Sequence, residues 1–482
     1  MTEPLLLGID EGTTAVKAAL FDLGLRPLAE ARRPVATAHP APGWVEQDPL
    51  EVLAAVEEAV AEVLAPAGDE PPVLAGLAHQ GESVLAWDAR TGAPLTPIVV
   101  WQDKRQEDLL ELVGAEAVSR SGLPLDPYFS AGKLAWLLAN DAAVGRARES
   151  GTLRMGTVDA FLADRLAGRF ATDLSTASRT QLLALGGRNW DEGLLGAFSL
   201  RRDWLPALGP SFGALGELRS AAWPRPVALR AQLVDQQAAL AGSGAVATGL
   251  AKATYGTGVF VLARTDGPQA ARGLLPTVAW AGEDGQVAHA LDGGVFTAGS
   301  LLEWLAGDLG LAGDPAQLAA QAARVPDSAG VRLLPALAGL GSPWWEPGAR
   351  GVIAGLHGGV RPGHLARAAL EGIAQRVADI VEAMSAQVAL ERLLVDGGLT
   401  NDETLLQIQA DALGIELAVG RADATALGAA MLAGVGGGAL GSLEEAAALL
   451  GAARTVRPQT GETERRLARA RWREFVRAAA RL

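Results

Sequence analysis

Residues 5–22 read LLLGIDEGTTAVKAALFD, and the rest of the chain is organised around this stretch. Leu5–Leu7 is an apolar run bounded by Gly8 and the polar cluster 10–14, a pattern that predicts a short buried strand. Val16–Phe21 predicts a second strand, with Gly12 at the turn between them. Such a hairpin presents successive backbone N–H groups, the hydroxyls of Thr13 and Thr14, and one cation, Lys17, at its tip. That is a cradle for an anionic phosphate. Asp10, at the strand end, is placed for a hydrated Mg²⁺, because Mg²⁺ prefers oxygen ligands and keeps most of its waters. A tight turn with a few solvated polar residues is the plainer alternative, and the stretch alone leaves both open.

The pattern restarts half a chain later. Residues 252–262, KATYGTGVFVL, again set a Gly/Thr turn between two strand-like runs. Two phosphate-type hairpins predict two related α/β halves facing each other across a cleft. The expected division is 1–243 and 244–482, joined compactly near Gly242–Thr248, where no low-complexity linker is visible.

Between these landmarks, Gln47–Leu64 carries the clearest helix start. Asp48 is the N-cap, Pro49 suits the first helical position, and Glu51 completes a capping-box pattern. Strands are expected at Pro71–Leu77, Val84–Trp87 and Ile98–Trp101. Helix is expected through Glu107–Leu166, broken by a Pro124/Pro127 loop that carries Tyr128. Leu233–Asp235 leads from an apolar approach into a helix beginning at Gln236, which Asp235 is placed to cap. Further helices are expected at Ser300–Leu305, His364–Met384, Thr404–Leu413 and Glu462–Ala480, the last with Leu467, Trp472 and Phe475 on its apolar side. Taken without further context, Trp101 and Phe260 end strand-like runs and read as core.

A chain of 482 residues, 49% hydrophobic, can fill sizeable cores. Its formal charge of −14, from 41 basic and 55 acidic residues, and the lack of a long basic run argue against nucleic acid as a ligand. Cysteine is absent, so no disulfide framework, thiolate metal site or cysteine nucleophile is expected. The five histidines show no metal-ligand spacing. Met1–Pro4 carries no basic segment leading into an apolar one, and a cytoplasmic protein without a membrane span is expected. The uncharged stretch Ala424–Leu443 is rich in Gly and Ala, which predicts a helix ending in a glycine loop.

A series of motifs in order resembles the FGGY family of carbohydrate kinases, and within it the members that act on glycerol. They include GIDEGTT (8–14), GWVEQDP (43–49), VVWQDKR (99–105), GLPLDPYFSAGKL (122–134), GTVDAFL (156–162), ASRT (177–180), DQQAAL (235–240), TYGTGVF (254–260), LGSPWWEPGARG (340–351), DGGLTND (396–402) and TALGAAMLAG (425–434). The resemblance implies two RNase-H/actin-like α/β domains with ATP in the cleft, and a kinase that phosphorylates a hydroxyl of a small polyol. Glycerol is the first candidate substrate, and a homo-oligomer, dimer or tetramer, is expected. It further implies Asp10 as the Mg²⁺-associated carboxylate, and Thr13, Thr14, Lys17, Gly256, Thr257, Gly299, Glu303, Gly398 and Asp402 at nucleotide positions. Asp235 matches the general base, while Glu82, Trp101, Tyr128, Gln236 and Phe260, with Asp235, match the acceptor pocket. The chemistry fits those residue types. A carboxylate is a natural base for an alcohol, and hydroxyl-binding carboxylates beside aromatic faces suit a polyol.

The sequence departs from the family pattern at several of these positions. Gly81 stands where an Arg precedes the pocket Glu, removing a charged contact of roughly 1.5–3 kcal/mol or opening room for a tetritol or pentulose. Lys17 replaces an Arg, keeping charge but losing bidentate geometry. Glu303 stands for a Gln, Asp402 for an Asn, and Val234 for the Gly before the catalytic Asp. Lys17, Glu303 and Asp402 would suit a non-catalytic nucleotide-binding protein, but the retained Asp10 and Asp235 speak against it.

Overall fold

The computed structural model describes residues 3–67, 72–421, 423–451 and 454–480. Its frame is two mixed sheets. The first runs in the order Phe212–Leu218, Val227–Val234, Val73–His79, Leu5–Glu11, Ala15–Phe21, Pro27–Pro34. Leu5–Glu11 pairs antiparallel with Ala15–Phe21 and parallel with Val73–His79. The second sheet repeats this arrangement. Leu250–Tyr255 pairs antiparallel with Val259–Thr265 and parallel with Arg392–Asp396, which is followed outward by Glu416–Val419. Both predicted hairpins are present, and the shared connectivity is the RNase-H/actin-like pattern, now visible across whole sheets rather than one short echo.

The central strands are buried along almost their whole length because helices cover both faces, which explains continuous apolar runs in place of alternation. Pro49–Leu64 packs on one face of the first sheet, through Val52, Val56 and Val60. Asp48 caps it as expected, accepting from Leu50 N. The capping box does not close, because Glu51 Oε1 instead accepts from Ala36 N at 2.9 Å. The other face is covered by Ala424–Gly436, a helix that follows strand Glu416–Val419 of the second sheet in sequence. Small residues let it sit very close. A Cβ on Gly8 would lie 1.8 Å from Ala426 O, and one on Gly428 would lie 1.8 Å from Ala238 O. The second contact is a crossing with helix Asp235–Gly242, so two backbones touch where the halves meet. The uncharged stretch is therefore a 13-residue buried helix, and no described helix is long and apolar enough to cross a membrane.

Other elements differ in detail from expectation. The predicted strand beginning at Pro71, which lies outside the described residues, is observed as Val73–His79. The Glu107–Leu166 region contains a strand, Leu153–Thr157, that periodicity does not reveal, because Arg154 and Gly156 interrupt its apolar pattern. In the terminal helix Glu462–Ala479, Trp472 and Phe475 are buried, whereas Leu467 is exposed.

Candidate active site

The site lies where the strand ends of both sheets meet the helix Asp235–Gly242. Strand Val227–Val234 runs directly into this helix, which places Asp235 in its first turn with Oδ1 accepting from Gln236 N at 2.6 Å. A cavity of about 90 Å³ opens there, lined by Thr13, Gly81, Glu82, Trp101, Tyr128, Arg179, Val234, Asp235, Gln236, Phe260 and Asp292, among others. All six predicted acceptor-pocket residues are in its wall. Trp101 stands edge-on to Tyr128 at 5.7 Å and to Phe260 at 6.5 Å between ring centres, and all three are half-buried. The core reading of Trp101 and Phe260 therefore gives way to cavity lining.

Local structure fixes each wall. Glu82 adopts a left-handed backbone (φ 61°), an uncommon and costly conformation for a non-glycine residue. Trp101 Nε1 donates to Thr13 Oγ1 at 3.0 Å, so this threonine hydroxyl serves the cavity wall. Tyr128 sits in a loop threaded over Lys133, whose buried ammonium donates to the carbonyls of Pro127 and Tyr128 at 2.7 Å each and of Phe129 at 3.3 Å.

Besides Lys133, the sequence-based view missed two buried cations. Arg179, from ASRT, donates from Nε to Glu82 Oε1 at 2.7 Å and pairs through Nη2 with Asp292 Oδ2 at 3.0 Å. The guanidinium expected at position 81 is absent, and a different one, from Arg179, reaches the pocket from another segment. Nor is the space beside Gly81 open, because Val234 Cγ1 lies 3.0 Å from where a Cβ would stand. The second cation, Lys252, donates to Gln236 Oε1 at 2.6 Å and to Thr254 Oγ1 at 2.8 Å.

Burial pushes the carboxyls of Asp235, Glu82, Asp292 and Asp396 above the ordinary range. Lys252 opposes the rise at Asp235, and Arg179 opposes it at Glu82 and Asp292. Asp10 is pushed up to about 7 by burial and by the charge of Asp235, against a smaller opposing effect of Lys17. Asp396 Oδ2 is buried without a partner. This surplus of desolvated negative charge fits a divalent cation. Among the described residues, no group of three or more His, Cys, Asp and Glu side chains is placed to hold a metal. A metal shared between one carboxylate, water and phosphates suits Asp10 better than a protein cage.

The remaining predicted nucleotide residues fall around the two hairpin tips and the second half. Thr14 and Thr257 are exposed at the tips, and Lys17 pairs with Glu30 at 3.1 Å. Gly299 N donates to Gly256 O at 3.0 Å, and a Cβ on Gly299 would strike that carbonyl at 2.6 Å, so glycine lets the helix Gly299–Glu303 dock on the second tip. Glu303 is exposed at that helix end, and Gly398 is exposed beyond strand Arg392–Asp396. Asp402 caps the helix Glu403–Leu413, accepting from Thr404 N and Leu405 N, which gives its carboxylate a structural use.

Comparison with known proteins matches residues 5–242 to the N-terminal domain and 251–437 to the C-terminal domain of the FGGY family of carbohydrate kinases. A glycerol kinase from Citrifermentans bemidjiense is 44% identical over 90% of each chain, and one from Thermus brockianus is 43% identical over 98% of each. The crystal structure of Plasmodium falciparum glycerol kinase with ADP superposes with a TM-score of 0.91 at 28% identity, covering 99% of this chain and 98% of that one. A xyloylose kinase from Brucella ovis superposes at 0.89 with 26% identity, covering 98% and 99%. With its two hairpins, its shared cleft and these relatives, the chain belongs to the FGGY family of carbohydrate kinases.

Proposed function

We propose that the protein phosphorylates glycerol, using ATP with Mg²⁺. The observation that carries this reading is the cavity of about 90 Å³ that holds Asp235, Glu82, Trp101, Tyr128 and Phe260 in one wall system. That volume is small beside the roughly 300–1,000 Å³ of pockets for larger ligands, and it suits a three-carbon triol. The curated relatives named for glycerol favour the same substrate. A tetritol or pentulose has less support, because Val234 takes up the space beside Gly81.

In this reading Asp235 is the general base. It accepts the proton of the attacking hydroxyl as that oxygen bonds to the terminal phosphorus of ATP and the bond from that phosphorus to the bridging oxygen breaks, releasing ADP. Phosphoryl transfer needs positioning and charge neutralisation more than covalent help from the protein. Glu82 accepts from a second hydroxyl, Gln236 orients the substrate beside the base, and Trp101 and Phe260 cover the C–H surface. Thr13, Thr14 and Lys17 on one tip, with Gly256 and Thr257 on the other, bracket the phosphates, while Gly299, Glu303, Gly398 and Asp402 lie on the nucleotide side. Asp10 would hold the metal, which when bound neutralises phosphate charge. Enclosure of the acceptor between the halves keeps water from taking its place.

The test is ADP release in the presence of glycerol, ATP and Mg²⁺. Glycerol-dependent turnover, lowered about 100-fold to 10,000-fold in Asp235→Ala, is expected. Turnover with a pentulose or tetritol but none with glycerol would overturn the substrate.

A further inference from the structure

Arg179 and Asp292 both line the cavity, and each carries a buried polar atom without a hydrogen-bond partner, Nη1 and Oδ1 respectively. Their side chains are only 3% and 6% exposed. The other atoms of both groups are spoken for, since Arg179 Nε is held by Glu82 and Nη2 by Asp292 Oδ2. The two residues come from different halves. Arg179 follows the short helix Leu174–Ala177, and Asp292 lies in strand Val287–Val295 of the second sheet. An unmatched donor and an unmatched acceptor, carried by an ion-paired Arg and Asp that both line the cavity, suit one hydroxyl, which both donates and accepts. Leaving such atoms unmatched is costly, so a ligand that satisfies them gains more than an exposed contact would give.

We propose that Arg179 and Asp292 form a hydroxyl clamp that sets substrate specificity, holding one of the two hydroxyls of a neutral triol that are not phosphorylated. The proposal rests on the glycerol reading above. Because the guanidinium is already paired with Glu82 and Asp292, its charge is spent. The clamp reads a hydroxyl and gives no foothold to a carboxylate or phosphate on the acceptor. It also spans the halves, so that a bound hydroxyl touches both sides of the cleft at once.

The experiment is calorimetric binding of glycerol, propane-1,2-diol and propane-1,3-diol to the unaltered enzyme, Arg179→Lys and Asp292→Asn. Propane-1,3-diol lacks the middle hydroxyl, and propane-1,2-diol lacks the far terminal one when its primary hydroxyl sits at Asp235, so the first diol reads a clamp on the middle hydroxyl and the second a clamp on the terminal one. The unaltered enzyme should prefer glycerol to the diol that lacks the held hydroxyl by about 10-fold to 100-fold, the worth of a charge-assisted hydrogen bond. Either variant should narrow that preference about 10-fold, because the diol has no clamp contact to lose. Equal weakening of all three ligands, or no change in any, overturns the clamp while leaving the substrate reading intact. Failure of the unaltered enzyme both to bind glycerol and to turn it over overturns the substrate reading and the clamp with it. Should Arg179→Lys fail to fold, the near-isosteric Asp292→Asn decides the question.

Discussion

Val234 stands in the path of any side chain at residue 81: its Cγ1 lies 3.0 Å from the position a Cβ there would take. Gly81 is not among the residues with a left-handed backbone, whereas its neighbour Glu82 is, so turn geometry does not demand glycine at 81. Gly81 and Val234, the two departures flanking the pocket, are one exchange of volume. Gly81→Arg alone is therefore expected to lower kcat/KM for glycerol by about 10-fold or more, since overpacking costs about 1–3 kcal/mol. Adding Val234→Gly should recover most of the loss. Steady-state kinetics of the single and double variants checks this, and an improvement from Gly81→Arg alone would refute the coupling.

Lys252 stands behind the base, bonded to Gln236 and electrostatically opposing the burial that raises the Asp235 carboxyl. A base works unprotonated, so kcat/KM should fall as pH drops through the Asp235 pKa, which lies above the ordinary 3.8. Removing the cation in Lys252→Met destabilises the carboxylate and moves that limb to higher pH. The variant should be impaired at neutral pH and recover in part at alkaline pH. A pH–rate profile whose acidic limb stays in place would count against this role.

Lys133 holds the Tyr128 loop by three carbonyl hydrogen bonds. Lys133→Met keeps the bulk and removes the donors, leaving carbonyls unmatched at a cost of about 1–3 kcal/mol. Thermal melts should show the loss of stability, and the KM for glycerol should rise because Tyr128 lines the cavity.

The crossing of helices Asp235–Gly242 and Ala424–Gly436 tolerates no side chain at its closest point. Gly428→Ala would place a Cβ 1.8 Å from Ala238 O, and backbone cannot swing aside as a flexible side chain can. A loss of about 1–3 kcal/mol or more is expected, roughly 2–4 °C in Tm for each kcal/mol in a domain of 150–250 residues. Because Asp235 opens one of the two helices, kcat should fall as well. Gly145→Ala, on an open surface with nothing within 4 Å of the added carbon, is the control.

Local chemistry made much of this molecule legible. Both hairpins announced themselves through apolar runs around Gly/Thr turns, and Asp48-Pro49 marked a helix start that the structure keeps. The six acceptor-pocket residues carried over from the family resemblance share one cavity. What stayed hidden depended on contacts between distant residues. Arg179 lies 97 positions from Glu82, and no neighbour in ASRT hints at that partner. Glu51 fits a capping box by spacing, yet is drawn to Ala36 N, just beyond the edge strand Pro27–Pro34. Lys252 did leave a signal, a lone cation between alanines within a buried strand, which implies a paired or hydrogen-bonded charge. Gly81 was misleading for the opposite reason, because what fills the gap comes from residue 234.

The helix Ala424–Gly436 has a consequence for how the protein is made. By the time a ribosome has added residue 242, every strand of the first sheet exists, yet Leu6, Leu74 and Leu233 still await the Leu427 and Met431 that bury them. Nearly two hundred further residues must be synthesised before that apolar face is covered. The nascent first half is therefore exposed to aggregation and to chaperones throughout translation of the second. A premature stop anywhere before residue 424 leaves a sheet with one greasy side, not a smaller working domain.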